Sequence, residues 1–379
     1  MKRKLALRAV AAFASTAMVA TALSVGAIAP AQAATRSTVV LLSQGDITSL
    51  NSGTSDNNTA YNAQVGSLTG MGFYYYNSDA KLVMNTKFGT MKIVKQAPKD
   101  FQIQYNVTKG QTWSDGTKID AVDLLLSHIV ASSQYSKAAG LGDPSNADTK
   151  PAFDSGAYGA AYDDNVVGEP KLSNGNMTLT VKFGKPLPDW ELLAPGPSPV
   201  HAMSLIADGK KGLQSAAVNT AAKAKFLKDF TSKNSANLKK IGALYTKGYD
   251  VTKVDKDTNA LLLISNGGFI VDKFTFGDSM TFVRNPKYNS GPAMATKNPI
   301  KTVVIKIIQE NTAMIQALRN GDIDIYYNTL PNGNDKIALA AMPNVTTTTR
   351  VGGNSSIFHL RTDTGFGNTD VYSGPFAGN

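Results

Sequence analysis

The chain has no cysteine among its 379 residues. Disulfides and zinc–thiolate sites are therefore excluded, and so is the acylated cysteine that anchors many exported proteins to a membrane. Histidine is nearly as scarce: His128, His201 and His359 are far apart, and none has a second histidine three or four residues on. No GxSxG elbow, Walker A loop, GxGxxG fingerprint or HExxH motif occurs, so no local motif supports an enzyme, a cofactor or a metal. There is also no C-terminal wall-sorting segment and no hydrophobic span beyond the N-terminal one.

Positive charge is in modest excess. The formal balance is +10, and the first 33 residues hold four basic and no acidic groups, so 10 − 4 leaves +6 on the remainder. The densest lysines, Lys223, Lys225, Lys228, Lys233, Lys239 and Lys240, interleave with Phe226, Leu227, Phe230, Leu238 and Ile241. That spacing reads as the solvated side of amphipathic helices rather than as a nucleic-acid surface.

What is present begins with an export signal. Lys2, Arg3, Lys4 and Arg8 precede an alanine-rich apolar run, and Ala31-Gln32-Ala33 has the small-x-small pattern of a cleavage site. Residues 1–33 read as a signal peptide, with a mature N-terminus at Ala34 and an extracellular, cell-surface or periplasmic destination. The remaining 346 residues (379 − 33) exceed what one core usually serves, so at least two lobes are expected.

Along the mature chain, Val39 to Ser43 reads as an opening strand and Gln44 to Asn58 as a polar loop. Tyr74-Tyr75-Tyr76 and Lys81 to Met84 read as strands, with the tyrosines packed at a core rim. Phe101 to Val107 alternates with period two, as a half-buried strand does. Ser114-Asp115-Gly116 then supplies a turn with Gly116 at positive φ, and Asp120 caps a helix that carries Asp123 in its first turn. Lys137 to Gly168 is an irregular excursion, Met177 to Phe183 a strand, and five prolines from Pro186 to Pro199 form an extended linker or packed loop before His201. Val303 to Ile308, a helix from about Asn311 to Arg319, a stop at Gly321 and a short strand carrying Asp322 and Asp324 make a β-α-β unit.

Three segments, GQTWSDGTKIDAVDLLL, MTFVRNPKYNSG and IKTVVIKIIQENTAMIQALRNGDIDIYY, resemble in order the signatures of family 5 extracellular solute-binding proteins, the peptide, nickel and oligosaccharide receptors of ABC importers. The resemblance implies an α/β, two-lobed periplasmic-binding-protein-like fold of mixed sheets flanked by helices. It places lobe I at 34–275, with an inserted subdomain at about 61–168, and the start of a truncated lobe II at 276–379. It implies a monomeric receptor, with no cofactor and no nucleic acid, that passes a small solute or oligopeptide to permease subunits. A secreted interaction protein or a non-functional truncated gene product is the alternative. Leu50, Asn51 and Ser52 after the first strand, and Asn354, Ser355 and Ser356 before a later one, resemble positions that line the family's cleft from opposite sides. His201 resembles a position with a structural hydrogen bond, and Gly267-Gly268 a turn where backbones approach closely.

Overall fold

The computed structural model describes residues 37–155, 160–327 and 333–348. Its strands are β1 (Thr38–Ser43), β2 (Tyr74–Tyr76), β3 (Leu82–Met84), β4 (Gly89–Ala97), β5 (Asp100–Val107), β6 (Lys171–Ser173), β7 (Thr178–Phe183), β8 (Lys253–Val254), β9 (Phe269–Thr275), β10 (Ser279–Arg284) and β11 (Thr302–Ile307). The helices are α1 (Ala60–Thr69), α2 (Leu125–Ala131), α3 (Ser133–Ala138), α4 (Ala160–Asp163), α5 (Val200–Ala207), α6 (Ala216–Thr231), α7 (Ser235–Ala243), α8 (Asn311–Asn320) and α9 (Gly333–Ala340).

Two main sheets organise the described residues. The first runs β1-β11-β10-β9-β8, with β1 and β11 parallel and the other pairs antiparallel. Its register sets Val39 opposite Val303 and Leu41 opposite Ile305. The β-α-β unit read from the sequence is present, but β1 lies between its two extended segments. Leu41 pairs with β11 on one side and makes a parallel bridge to Ile325 on the other. Asp324 is part of that edge: its carboxylate accepts from Val40 N at 2.8 Å while its own N–H donates to Val40 O at 2.8 Å. Gly321 ends α8 in the left-handed conformation at φ 76°, where a side chain would be penalised.

The second sheet, β4-β5-β7-β6, is antiparallel throughout and sets Phe101 opposite Phe183, Ile103 opposite Val181 and Tyr105 opposite Leu179. Alternation along β5 buries Phe101, Ile103, Tyr105 and Val107 and leaves Gln102, Gln104 and Asn106 partly exposed. The buried face carries the larger core, which gathers Leu124, Leu125 and Ile129 before and within α2, Met203 of α5, Phe226 and Phe230 of α6 and Leu238 and Ile241 of α7. Each such large apolar side chain contributes roughly 1.5–3 kcal/mol by leaving water. A separate core of Ile47, Val65, Phe274, Met280, Phe282 and Ile305 covers one face of the first sheet, and Leu42, Met314, Ala317 and Ile323 cover the other against α8.

Several boundaries differ from the sequence reading. Residue 275 falls at the tip of the β9–β10 hairpin, where Asp278 N donates to Thr275 O and Gly277 takes φ 72°. Strands on both sides of it belong to one sheet, which also holds β1. The insert expected at about 61–168 is exceeded, because β6, β7 and the helices through α7 complete the second sheet and its core. The tyrosine run is less buried than expected: Tyr76 is 60% exposed, and the deep core residue is the preceding Phe73. Two-residue alternation is legible there, but the strand is only three residues long and sits in a small two-stranded hairpin.

Candidate functional site

The Ser114-Asp115-Gly116 turn forms as its residue types require. Gly116 N donates to Trp113 O at 2.8 Å with Gly116 at φ 93°, and Asp115 Oδ1 accepts from Thr117 N at 2.9 Å. The turn is a junction. Asp115 Oδ2 meets His201 Nε2 of α5 at 3.0 Å and accepts from Asn219 Nδ2 of α6 at 3.0 Å, while Ser114 N donates to Ser265 O at 2.7 Å. Burial disfavours the Asp115 charge, but hydrogen bonds from His201 and Thr117 outweigh it and hold the carboxyl below its ordinary range. The structural hydrogen bond expected of His201 is this one.

Behind the turn, Asp120 and Asp123 form a capping box over Ala121–Leu124, a 3₁₀ turn that leads into α2. Asp123 is fully buried and paired: Lys223 Nζ lies 2.6 Å from Asp123 Oδ2 and donates to Lys118 O at 2.5 Å. Lys223 therefore leaves the solvated lysine face expected of α6. Its neighbour Lys225 conforms to that face better, reaching the partly exposed Asp208 at 3.1 Å.

A cavity of about 220 Å³ opens at the seam between the two larger cores. Leu50, Asn51 and Leu263 line it from the side of the first sheet, and Trp113, Tyr245 and Ile264 from the side of the second. No charged side chain stands among its described lining residues. Two amides frame it, each anchored to backbone. Asn51 Nδ2 donates to Tyr245 O at 2.8 Å and its Oδ1 accepts from Gly53 N at 3.0 Å; Asn266 Oδ1 accepts from Met71 N at 3.0 Å and its Nδ2 donates to Met71 O at 2.8 Å. Burial pushes the Tyr245 hydroxyl up to about 12, so it stays neutral at any physiological pH.

The sequence candidates fall unevenly around this cavity. Leu50 and Asn51 line it, and half-buried Ser52 adjoins them. Asn354, Ser355 and Ser356 lie outside the described residues. The double glycine brings backbones together as its residue type suggests: Gly267 N donates to Thr69 O at 2.9 Å, and a Cβ on Gly267 would stand 2.5 Å from Leu68 O. Tyr245, Tyr249 and the leucines of Ala260–Leu263 escaped sequence reasoning. Their only signal is an apolar run against glycines, and a run of that kind points equally to core.

A family model described as bacterial extracellular solute-binding proteins, family 5 Middle, matches residues 94–376. No match is found among curated proteins. Among solved structures, a periplasmic EDTA-binding protein, EppA, is similar at 18% identity and a TM-score of 0.57 over 80% of this chain and 46% of its own. A dipeptide-binding protein from Pseudoalteromonas sp. SM9913, in complex with Met-Leu, is similar at 13% identity and a TM-score of 0.53 over 81% and 50%. The chain thus spans about half the length of the solved proteins it matches.

Proposed function

We propose that this chain, which belongs to the bacterial extracellular solute-binding proteins of family 5, forms part of the ligand cleft of a receptor that hands an oligopeptide to an ABC importer. Proteins of this family bind small solutes or peptides, work with ABC transporter permeases and are not enzymes. The action is therefore capture without bond making. A solute that contacts two walls favours the closed arrangement by its differential contacts, and the closed form engages the permease.

The observation that carries the peptide reading is the uncharged lining of the seam cavity. Of the solutes named for the two matched structures, EDTA is a polyanion and would leave its charges without a partner there, at a heavy desolvation cost. Met-Leu is a short peptide with apolar side chains, which such walls suit. At about 220 Å³ the cavity is smaller than the roughly 300–1,000 Å³ of drug-sized pockets. It fits one or two apolar side chains, with the peptide backbone outside. Leu50, Asn51 and Ser52 would meet that backbone from this wall, and Asn354, Ser355 and Ser356 from the facing one. The receptor would work as a monomer outside the cytoplasm, reached through the N-terminal export signal.

Native mass spectrometry after incubation with uncharged di- to pentapeptides tests the reading. Retained peptide, weakened more than about tenfold (roughly 1.4 kcal/mol) by filling the cavity with Leu263→Trp, is the expected result. Retention of EDTA but of no peptide, or peptide binding indifferent to Leu263→Trp, would overturn it.

A further inference from the structure

We infer that the first sheet carries a second, separate binding site, for a medium-chain carboxylate amphiphile, in a groove of about 330 Å³ at the end of its core-facing surface. Val39 and Leu41 of β1, Phe269 of β9, Leu68 of α1, and Met294 and Ile300 of the segment between β10 and β11 form its walls. None of the residues that line the seam cavity also lines this groove.

Two independent features define the ligand. The first is that every wall side chain is apolar apart from a single residue, Arg284, which suits an apolar chain along their length. The second is that residue's charge. Arg284 sits directly opposite Phe269 in the β9–β10 pairing, half-buried, and donates Nη1 to Ala295 O at 3.1 Å. No carboxylate meets its guanidinium among the described residues. A guanidinium has five N–H donors in a planar fork that matches a carboxylate, and a partly desolvated cation without a counterion is costly. An apolar groove with one arginine, which meets no carboxylate among the described residues, fits a molecule with a hydrocarbon tail and one anionic head. A peptide would leave its backbone polar groups unbonded along these walls, and a metal chelate would find no ligands.

Isothermal titration of the full chain with hexanoate, octanoate, decanoate and decanol at pH 7 tests the assignment. Each added methylene should tighten binding about fourfold, the factor that corresponds to roughly 0.8 kcal/mol per buried CH₂. Decanol should bind at least tenfold more weakly than decanoate. Arg284→Gln should abolish that preference and Arg284→Lys preserve it. Met294→Trp, at a half-buried position, should block all the ligands while a peptide bound at the seam cavity is unaffected. Absence of decanoate binding, affinity that does not rise with chain length, or equal affinity for decanol and decanoate would each overturn the inference. So would self-association in sedimentation velocity that Met294→Trp abolishes, because the groove would then belong to a second copy of the chain.

Discussion

His128 offers a quantitative test of the larger core. Its ring is 2% exposed, with Nδ1 2.8 Å from Tyr162 Oη and the Tyr135 and Phe230 rings packed edge-on at 5.5 and 6.1 Å. Burial lowers its pKa from an ordinary 6.5 to about 3, against a smaller opposing pull from the Asp163 carboxylate. The folded chain therefore keeps His128 neutral between pH 6.5 and 3, while the unfolded chain binds a proton there. Stability must fall as pH drops through this window, at up to about 1.4 kcal/mol per pH unit. From pH 6 to pH 4 the loss assignable to this one group is about 2.5 kcal/mol. His128→Gln removes the titration and keeps a hydrogen-bonding group toward Tyr162. Asp115, whose depressed pKa makes it lose stability only below the ordinary carboxylate range, is common to both proteins and cancels in the difference. Urea unfolding of both proteins at pH 6, 5 and 4 should show wild type losing about 2.5 kcal/mol relative to the variant. A difference that does not change with pH, or an NMR titration of the His128 ring centred near pH 6.5, would refute the reasoning.

Gly116→Val places a β-branched side chain at φ 93° and should cost about 1 kcal/mol or more in thermal unfolding while leaving ligand preference alone. Lys287 Nζ, 2.6 Å from where the new Cβ would stand, is the end of a flexible chain and moves aside, so the backbone angle sets the cost. Lys223→Met strands the buried Asp123 carboxylate and should lower stability by about 3–5 kcal/mol at pH 7; Lys223→Met combined with Asp123→Leu, compared by chemical denaturation, should recover most of it. Asn51→Ala together with Asn354→Ala should weaken a bound peptide more than about tenfold by calorimetry. Because Asn51 also ties its loop to Tyr245 O, the single Asn51→Ala variant should lower the melting temperature as well.

Local chemistry is legible in this sequence wherever a few adjacent residues decide the outcome. The alternation of Phe101 to Val107, the left-handed Gly116 and Gly321, and the Asp120 cap all have causes within a turn or a strand. What escapes is set by partners far along the chain. Lys223 looks like any helix-surface lysine until Asp123, a hundred residues earlier, is placed beneath it. The hairpin around residue 277 is hidden when a domain crossing is placed there, although a glycine turn and two alternating strands are present in the sequence. The seam cavity is half legible. Leu50 and Asn51 stand in the polar loop that follows β1, whereas Tyr245 comes from a helical segment with no local mark of a binding surface.

The topology says why this cavity belongs to the fold as a whole. The second sheet joins two pairings close in sequence, β4 with β5 and β6 with β7, through the β5–β7 pairing, whose widest separation, Phe101 to Phe183, is 183 − 101 = 82 residues. The first sheet pairs Thr38 with Thr302, a separation of 302 − 38 = 264 residues, so its closure carries a large loop entropy that local pairing does not. Leu50 hangs from that long-range pairing through the loop after β1, while Trp113 and Tyr245 belong to the core of the second sheet. The loop after β1 is tied to the 245–250 segment by Asn51 Nδ2 to Tyr245 O, Leu50 N to Tyr249 O and the Ser49–Asp250 bridge. Local opening at β1 therefore separates the walls without melting the second sheet. In native-state hydrogen exchange, the amides of β1 and β11 should exchange at a lower opening free energy than those of β5 and β7. Retained peptide should slow the first pair selectively, because only a closed seam presents both walls to it. Equal protection of the two sheets, unchanged by peptide, would mean that the seam is as rigid as the cores on either side and that the solute finds it already formed.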